Sequence, residues 1–412
     1  MLTQITRILK WLYPGIGIKR WMGLSAFGAL LLIIGSSGLQ SRQFFVIRVL
    51  DMFILLLGII ILIMGVKRLT QAFIAAVIPA ARENELVDIL YQRKQLARGP
   101  KIVAVGGGTG LSTLLTGLKE YTSNITAIVT VADDGGSSGR IRQQFDILPP
   151  GDIRNCLVAL ADASTMMRDL FQFRFEQGSE LAGHSFGNLF ITVMTRLTGD
   201  FEKAIRETSK VLALRGQVIP STLSNVVLVA SHDDGTVTEG EGSIPKANKP
   251  IQSVSLRPGG SEATPEALRA IQEADLIVLG PGSLYTSIIP NLLIKDITAA
   301  IAASRAIKVY VCNVMTQPGE TDGYSASSHI KALIEHSHPA LIDYCIVNTG
   351  KIPQELLVRY TSEQSFQVVN DRKKIEHMGY RVVEDDTILI RDFIRHDPHK
   401  LAKVILDLLE EI

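Results

Sequence analysis

Two uncharged apolar runs open the chain, and shorter apolar stretches then recur at intervals to its end. Trp21 to Leu39 is a run of 19 residues and Met52 to Val66 a run of 15. About 20 residues at a helical rise of 1.5 Å span a bilayer, so the first run qualifies alone. The second reaches spanning length only if Asp51 or its neighbours sit in the headgroup region, where a charge costs less than at the centre. The runs predict a membrane hairpin over residues 1–68. A cleaved signal peptide competes, with Gly35-Ser36-Ser37 as a small-residue site, but a second apolar segment follows where a mature soluble start is expected. In residues 69–100, Leu86, Ile89, Leu90 and Leu96 stand at helical spacing and predict a juxtamembrane helical linker, which Pro100 closes.

From residue 101 the pattern alternates between strand and helix periods. A β-branched run at 101–105 leads into "GGGTG" and then a helix with Leu111, Leu114, Leu115 and Leu118 on one face. Further apolar strands are expected at 125–131, in "SNVVLVASHDDGTVTEG" with a hairpin turn at Asp234-Gly235, and at 274–280, 306–314 and 341–350. Helical patterns fall at about 200–215, 264–273, 290–304, 325–336 and 397–411. This alternation predicts one Rossmann-like α/β domain over residues 101–412, a doubly wound, mostly parallel sheet with hairpin excursions.

Charge divides the chain in the same place. Residues 1–100 carry 12 Lys/Arg against 4 Asp/Glu, and residues 101–412 carry 30 against 37. Four basic residues precede the first apolar run, two lie between the runs and seven follow by Lys101, which puts both ends of the hairpin in the cytoplasm of a multi-pass cell-membrane protein. The acidic body argues against a nucleic-acid surface. Cys156, Cys312 and Cys345 are few and set in apolar runs, so they read as buried thiols.

Ligands of such sheets bind beyond the carboxyl ends of the strands. Here those ends carry polar, glycine-rich turns: "GGGTG" at 106, "ADDGGSSGR" at 132, "GPGSLYTS" at 280 and "NVMTQPGETDGY" at 313, with "GHSFGNL" at 183 of the same composition. Amides of Gly106, Gly107, Gly108, Thr109 and Gly110 suit a diphosphate at a helix N-terminus. Asp133, Asp134 and Asp152 suit sugar hydroxyls or a hydrated Mg²⁺, with Arg140 and Arg154 balancing charge. Asn155, Asn188 and Tyr285 are candidates for base or sugar contacts; both asparagines and His184 also read as local turn residues, and Tyr285 also reads as packing, although the nearby Pro and Gly favour a loop surface. A dinucleotide fingerprint anchored on Gly106 and Gly108 would need glycine where Leu111 stands, which disfavours NAD. No nucleophile elbow, H-E-x-x-H or P-loop is present, so the sequence displays a cradle for a sugar nucleotide more clearly than a catalyst.

The stretches "VAVGGGTGLSTLL" (103–115), "VADDGGSSGRIR" (131–142), "LPPGDIRNCLVAL" (148–160), "GHSFGNL" (183–189), "LGPGSLYTSIIPNLL" (279–293) and "NVMTQPGETDGYS" (313–325) together resemble the gluconeogenesis factor family, CofD-like proteins related to the 2-phospho-L-lactate transferases. The resemblance implies UDP-sugar binding, notably of UDP-N-acetylglucosamine, in support of cell shape and wall-precursor supply, with no cofactor required. It implies ligand contacts at the glycine turn, Asp133, Asp134, Asn188, Gly282, Ser283 and Tyr285, and through the C-terminal part at Tyr360 and Arg395. A protein partner in wall metabolism is expected, with its identity open, as is assembly with a second copy. The alternative is a transferase acting on a nucleotide-activated donor with Mg²⁺. The membrane hairpin departs from many members of the family.

Overall fold

The computed structural model describes residues 18–41, 44–77, 91, 93–176, 178, 180–390 and 393–410. The chain forms two units, Met1–Arg93 and Lys94–Ile412. Most of the predicted 69–100 linker, including Leu86, Ile89 and Leu90, lies outside the described residues.

In the first unit, α1 (Ile18–Ser41) and α2 (Phe45–Val77) pack against each other. Both are long and apolar enough to cross a membrane, over Ile18–Leu39 and Phe45–Ala72. The second span exceeds the 15-residue run because α2 continues through Asp51 without a break. Asp51 is only 3% exposed and lies against Gly38, where a Cβ would collide with its carboxyl group. A charge turned into the seam does not meet lipid, so it need not end the span. Gly28 likewise approaches the Leu62 backbone, and small residues let the helices close. At the other end of the seam, Arg20 and Arg68 lie 4.9 and 5.6 Å from the centre of the Trp21 ring.

The second unit starts with β1 (Ile102–Gly106), α3 (Gly108–Leu118), β2 (Ile125–Val129), α4 (Gly136–Phe145), α5 (Gly151–Leu160), α6 (Thr165–Gln172), α7 (Phe186–Thr198), α8 (Phe201–Val211) and β3 (Gln217–Pro220). A separate three-stranded antiparallel sheet follows, of β4 (Val227–His232), β5 (Val237–Glu239) and β6 (Ile251–Arg257), with Asp234-Gly235 at its hairpin turn. The chain then runs through α9 (Pro265–Glu273), β7 (Leu276–Leu279), α10 (Lys295–Ala303), β8 (Ile307–Val311), α11 (Ala326–Glu335), β9 (Tyr344–Asn348), α12 (Gln354–Ser362), α13 (Arg372–His377) and β10 (Arg381–Asp385). A short ribbon, β11 (Ile388–Ile390) and β12 (Ile394–His396), precedes α14 (Pro398–Glu410).

The main sheet has seven parallel strands in the order β10-β9-β8-β7-β1-β2-β3. Its central strands are buried throughout and read as continuous apolar runs, as strands covered on both faces do. Strand order moves outward from β1 in one direction through β2 and β3, and in the other from β7 to β10. Parallel crossovers are right-handed as a rule, so winding in both directions puts helices on both faces and makes the gap between β1 and β7 the topological switch point. The three cysteines are buried free thiols.

Candidate functional site

Two glycine loops meet at that switch point. β1 ends at Gly106, Gly107 is extended, and α3 begins at Gly108, whose amide meets the Asp152 carboxyl; Gly107 has no side chain to cap the helix, so the first-turn amides beyond Gly108 stay available to an anion. A Cβ on Gly107 would stand 2.5 Å from the Asp152 carboxylate, and one on Gly110 would stand 2.5 Å from the Pro281 carbonyl in the loop after β7. The close approach, rather than a dinucleotide fingerprint, explains glycine at these positions.

A cavity of ≈ 260 Å³ opens over these loops, and Gly107, Gly108, Thr109, Gly110, Gly282 and Ser283 form its floor. Tyr360 from α12 and Arg395 from β12 form the far wall. Tyr360 is fixed there because its hydroxyl accepts the Ile394 amide at 2.9 Å, while Arg395 is exposed. Sequence reasoning did not name Gln317, Asn313 or His396, which also line it. Gln317 donates to the Ser283 hydroxyl at 2.6 Å and so orients it. Burial depresses His396 to about 4, which keeps the ring neutral, and Thr387 bonds its Nδ1. The only signal for Gln317 and Asn313 was their place in "NVMTQPGETDGY"; His396 offered none.

A second group of predicted residues lies behind the glycine floor. The loop after β2 carries Asp133 and Asp134, and the first turn of α5 carries Asp152. Burial and the neighbouring Asp133 push Asp152 up to about 7. Asp133 is itself raised, mainly by burial, although its Oδ1 accepts the Gly135 amide at 2.9 Å. Glu241, from the loop after β5, is pushed up to about 8 by burial and then by Asp133 and Asp152. Glu320, bonded to the Thr286 hydroxyl, is raised to about 7 by burial. Arg154 draws both Asp133 and Asp152 down without offsetting their burial. Among the described residues no three His, Cys, Asp or Glu side chains are arranged to hold a metal by themselves.

Other candidates are used by the protein itself. Asp134 accepts the Gly242 amide at 2.8 Å, which ties the β2 loop to the smaller sheet. Asn188 is 2% exposed and donates to Ser137, whose hydroxyl also bonds His184. Arg140 donates to the Ala182 carbonyl. Gly106 is a strand residue whose carbonyl accepts from Asn291. Asn155 accepts from the buried Arg154 and lines a neighbouring cavity instead. Tyr285 corrects an expectation: it does not lie on a loop surface but is 2% exposed within a turn that is buried from Leu284 to Ile288. Its hydroxyl bonds Tyr324 at 2.8 Å and its ring packs on His336, so its side chain supports the Gly282-Ser283 loop from behind.

The model of the CofD family, described as 2-phospho-L-lactate transferase CofD, matches residues 102–388. The chain belongs to the CofD family. Among its relatives, the gluconeogenesis factor of Bacillus subtilis is 50% identical over 317 residues, which cover 77% of this chain and 100% of that protein. A relative from Nostoc sp. is 49% identical across 98% of this chain and 93% of its own length, so that alignment reaches into the hairpin unit. The crystal structure of a UPF0052 family member from Bacillus halodurans, 48% identical, matches with a TM-score of 0.73 over 75% of this chain and 99% of that one. The family match spans both glycine loops and the acidic group, but ends before Arg395 and His396.

Proposed function

We propose that this CofD-family protein is a membrane-tethered receptor for UDP-sugars, UDP-N-acetylglucosamine above all, that regulates wall-precursor supply and cell shape through a protein partner. The observation that carries the reading is the switch-point cavity, where the first-turn α3 amides beyond Gly108, Ser283, Tyr360 and Arg395 converge. Amides and the guanidinium suit a diphosphate, and the neutral His396 and the Tyr360 ring suit a nucleoside. The α/β unit would then face the cytoplasm, with the Lys/Arg bias at both hairpin ends as support.

The acidic group favours a second reading. Carboxyls titrating near neutrality suit proton transfer, and the family's description is that of a transferase. The donor set fits a hydrated Mg²⁺ held by Asp133 and Asp152 together with a ligand's phosphates, and such an ion would supply charge neutralisation there.

Titration calorimetry of the full chain in nonionic detergent separates the readings, with UDP-N-acetylglucosamine, UDP, GDP and NAD as ligands, with and without Mg²⁺. One-to-one binding of the UDP-sugar, with the ligand recovered intact, supports the receptor. Binding of guanine nucleotide or NAD in its place sinks it, and Mg²⁺-dependent turnover of a donor turns the assignment to a transferase.

A further inference from the structure

Across α3 from the switch-point cavity lies a larger one of ≈ 690 Å³, within the size range of small-molecule sites. Lys119, Arg154, Arg168, Arg174 and Arg395 line it, against Asp169 as the one carboxylate of the lining. Among the described residues none of these five cations forms an ion pair with a carboxylate. They bond instead to neutral groups: Lys119 to the Ala161 carbonyl, Arg154 to Ser185 and Asn155, Arg174 to the Gly183 carbonyl. Arg154 is 7% exposed, and its Nε has no partner. Burial lowers both Lys119 and Arg154; Arg168 and Arg215 add to it for Lys119 against the pull of Glu120 and Asp162, and Arg174 adds to it for Arg154 against the pull of Asp152 and Asp133.

The rest of the lining adds chemical detail. Thr109, Ser112, Thr113 and Thr116 follow one face of α3 along this wall. The hydroxyls of Ser112, Thr113 and Thr116 already donate to their own helix at 2.9 Å, so their oxygens face the cavity as acceptors. Cations recognise phosphate, and acceptor oxygens recognise the hydroxyls of the same ligand.

We propose that this basic cavity binds a small phosphorylated polyol, as a second ligand beside the switch-point site. Thr109, Thr113 and Arg395 line both cavities, so occupancy of one is felt at the other. The proposal does not depend on which nucleotide the first cavity takes.

Glucose 6-phosphate and inorganic pyrophosphate serve as probes, titrated into the full chain in nonionic detergent, with mannitol as the uncharged control. The expected result is saturable one-to-one binding of glucose 6-phosphate that persists when UDP-N-acetylglucosamine is saturating and weakens as salt rises. Arg168→Ala and Lys119→Met, each removing one cation from this cavity alone, are each expected to weaken it about tenfold or more, consistent with loss of a charge-assisted contact. Neither is expected to change UDP-N-acetylglucosamine affinity; Arg168→Ala should leave the melting temperature where it is, while Lys119→Met, which leaves the Ala161 carbonyl unbonded, lowers it. Absence of saturable binding of either phosphate, indifference to both substitutions, or full competition by UDP-N-acetylglucosamine overturns the proposal. Failure of the UDP-sugar alone to bind overturns the receptor reading and leaves this one standing.

Discussion

Gly110 and Pro281 hold the two loops of the switch point together, because the Gly110 backbone lies against the Pro281 carbonyl at a distance that leaves no room for a Cβ. Neither partner is a side chain that can swing aside, so Gly110→Ala forces a shift of α3 or of the loop after β7. A loss of about 1–3 kcal/mol in stability is expected from such overpacking. UDP-N-acetylglucosamine affinity should fall with it, since the α3 amides move relative to Ser283. Thermal melting and calorimetry check both, and an unchanged protein would mean that the loops are not mutually fixed.

The raised carboxyls make a signed pH prediction. Glu241 has an ordinary value near 4.5 and is held at about 8 in the folded protein, so the fold binds its proton more tightly than the unfolded chain does. That preference is fully present below the ordinary value and is lost as pH rises from about 4.5 through 8. Glu241→Gln removes the charging penalty. It should stabilise the protein by about 1–3 kcal/mol at pH 9 and leave it nearly unchanged at pH 4. Denaturant melts at the two values check it, and equal effects at both would show that Glu241 is not held protonated.

Tyr285 and Arg395, both candidates as ligand contacts, should now separate. Tyr285→Phe removes one buried hydroxyl and leaves the Tyr324 hydroxyl short of a partner, a cost of about 1 kcal/mol. Its effect on UDP-N-acetylglucosamine affinity should be small. Arg395→Ala empties an exposed position in the cavity wall, so melting should hardly move, while affinity drops about tenfold or more. The reverse pattern would put the ligand against the far side of the glycine loop.

Where apolar period and glycine coincide, the sequence was readable. The β1-glycine-α3 unit, the strands β2, β4, β5, β7, β8 and β9 and the helices α8, α9, α10, α11 and α14 follow from it, whereas β3 and β6 do not. α4 and α5 did not, because α4 buries Ser137, Ser138 and Gly139 beside Ile141, and α5 buries nearly everything except Asp152 and Asn155. Neither has an amphipathic stripe, so the polar stretch after β2 read as loop although most of it is helical. Glu241 and Glu320 had no local signal either. The coupling of Glu241 to Asp133 and to Glu320 exists only after the smaller sheet and the loop after β8 are folded back over the strand ends. Tyr285 misled for the opposite reason: a Gly-Pro-Gly flank suggests exposure, yet the turn is buried on all sides.

The hairpin tests orientation independently of any ligand. Asp51 faces Gly38 near the connection between α1 and α2, while Trp21, Arg20 and Arg68 cluster at the opposite end of the same helices. An aromatic and cationic end of this kind favours the cytoplasmic interface, and a carboxylate in the seam is tolerated near the other. Phe44→Cys, at an exposed position, should therefore react with a membrane-impermeant maleimide on intact cells, whereas Glu120→Cys, exposed on the α/β unit, should react only after lysis. The native cysteines are buried, and burial raises all three thiols, so they contribute little background. Labelling of Glu120→Cys on intact cells would invert the orientation and remove the α/β unit from any supply of cytoplasmic nucleotide sugar.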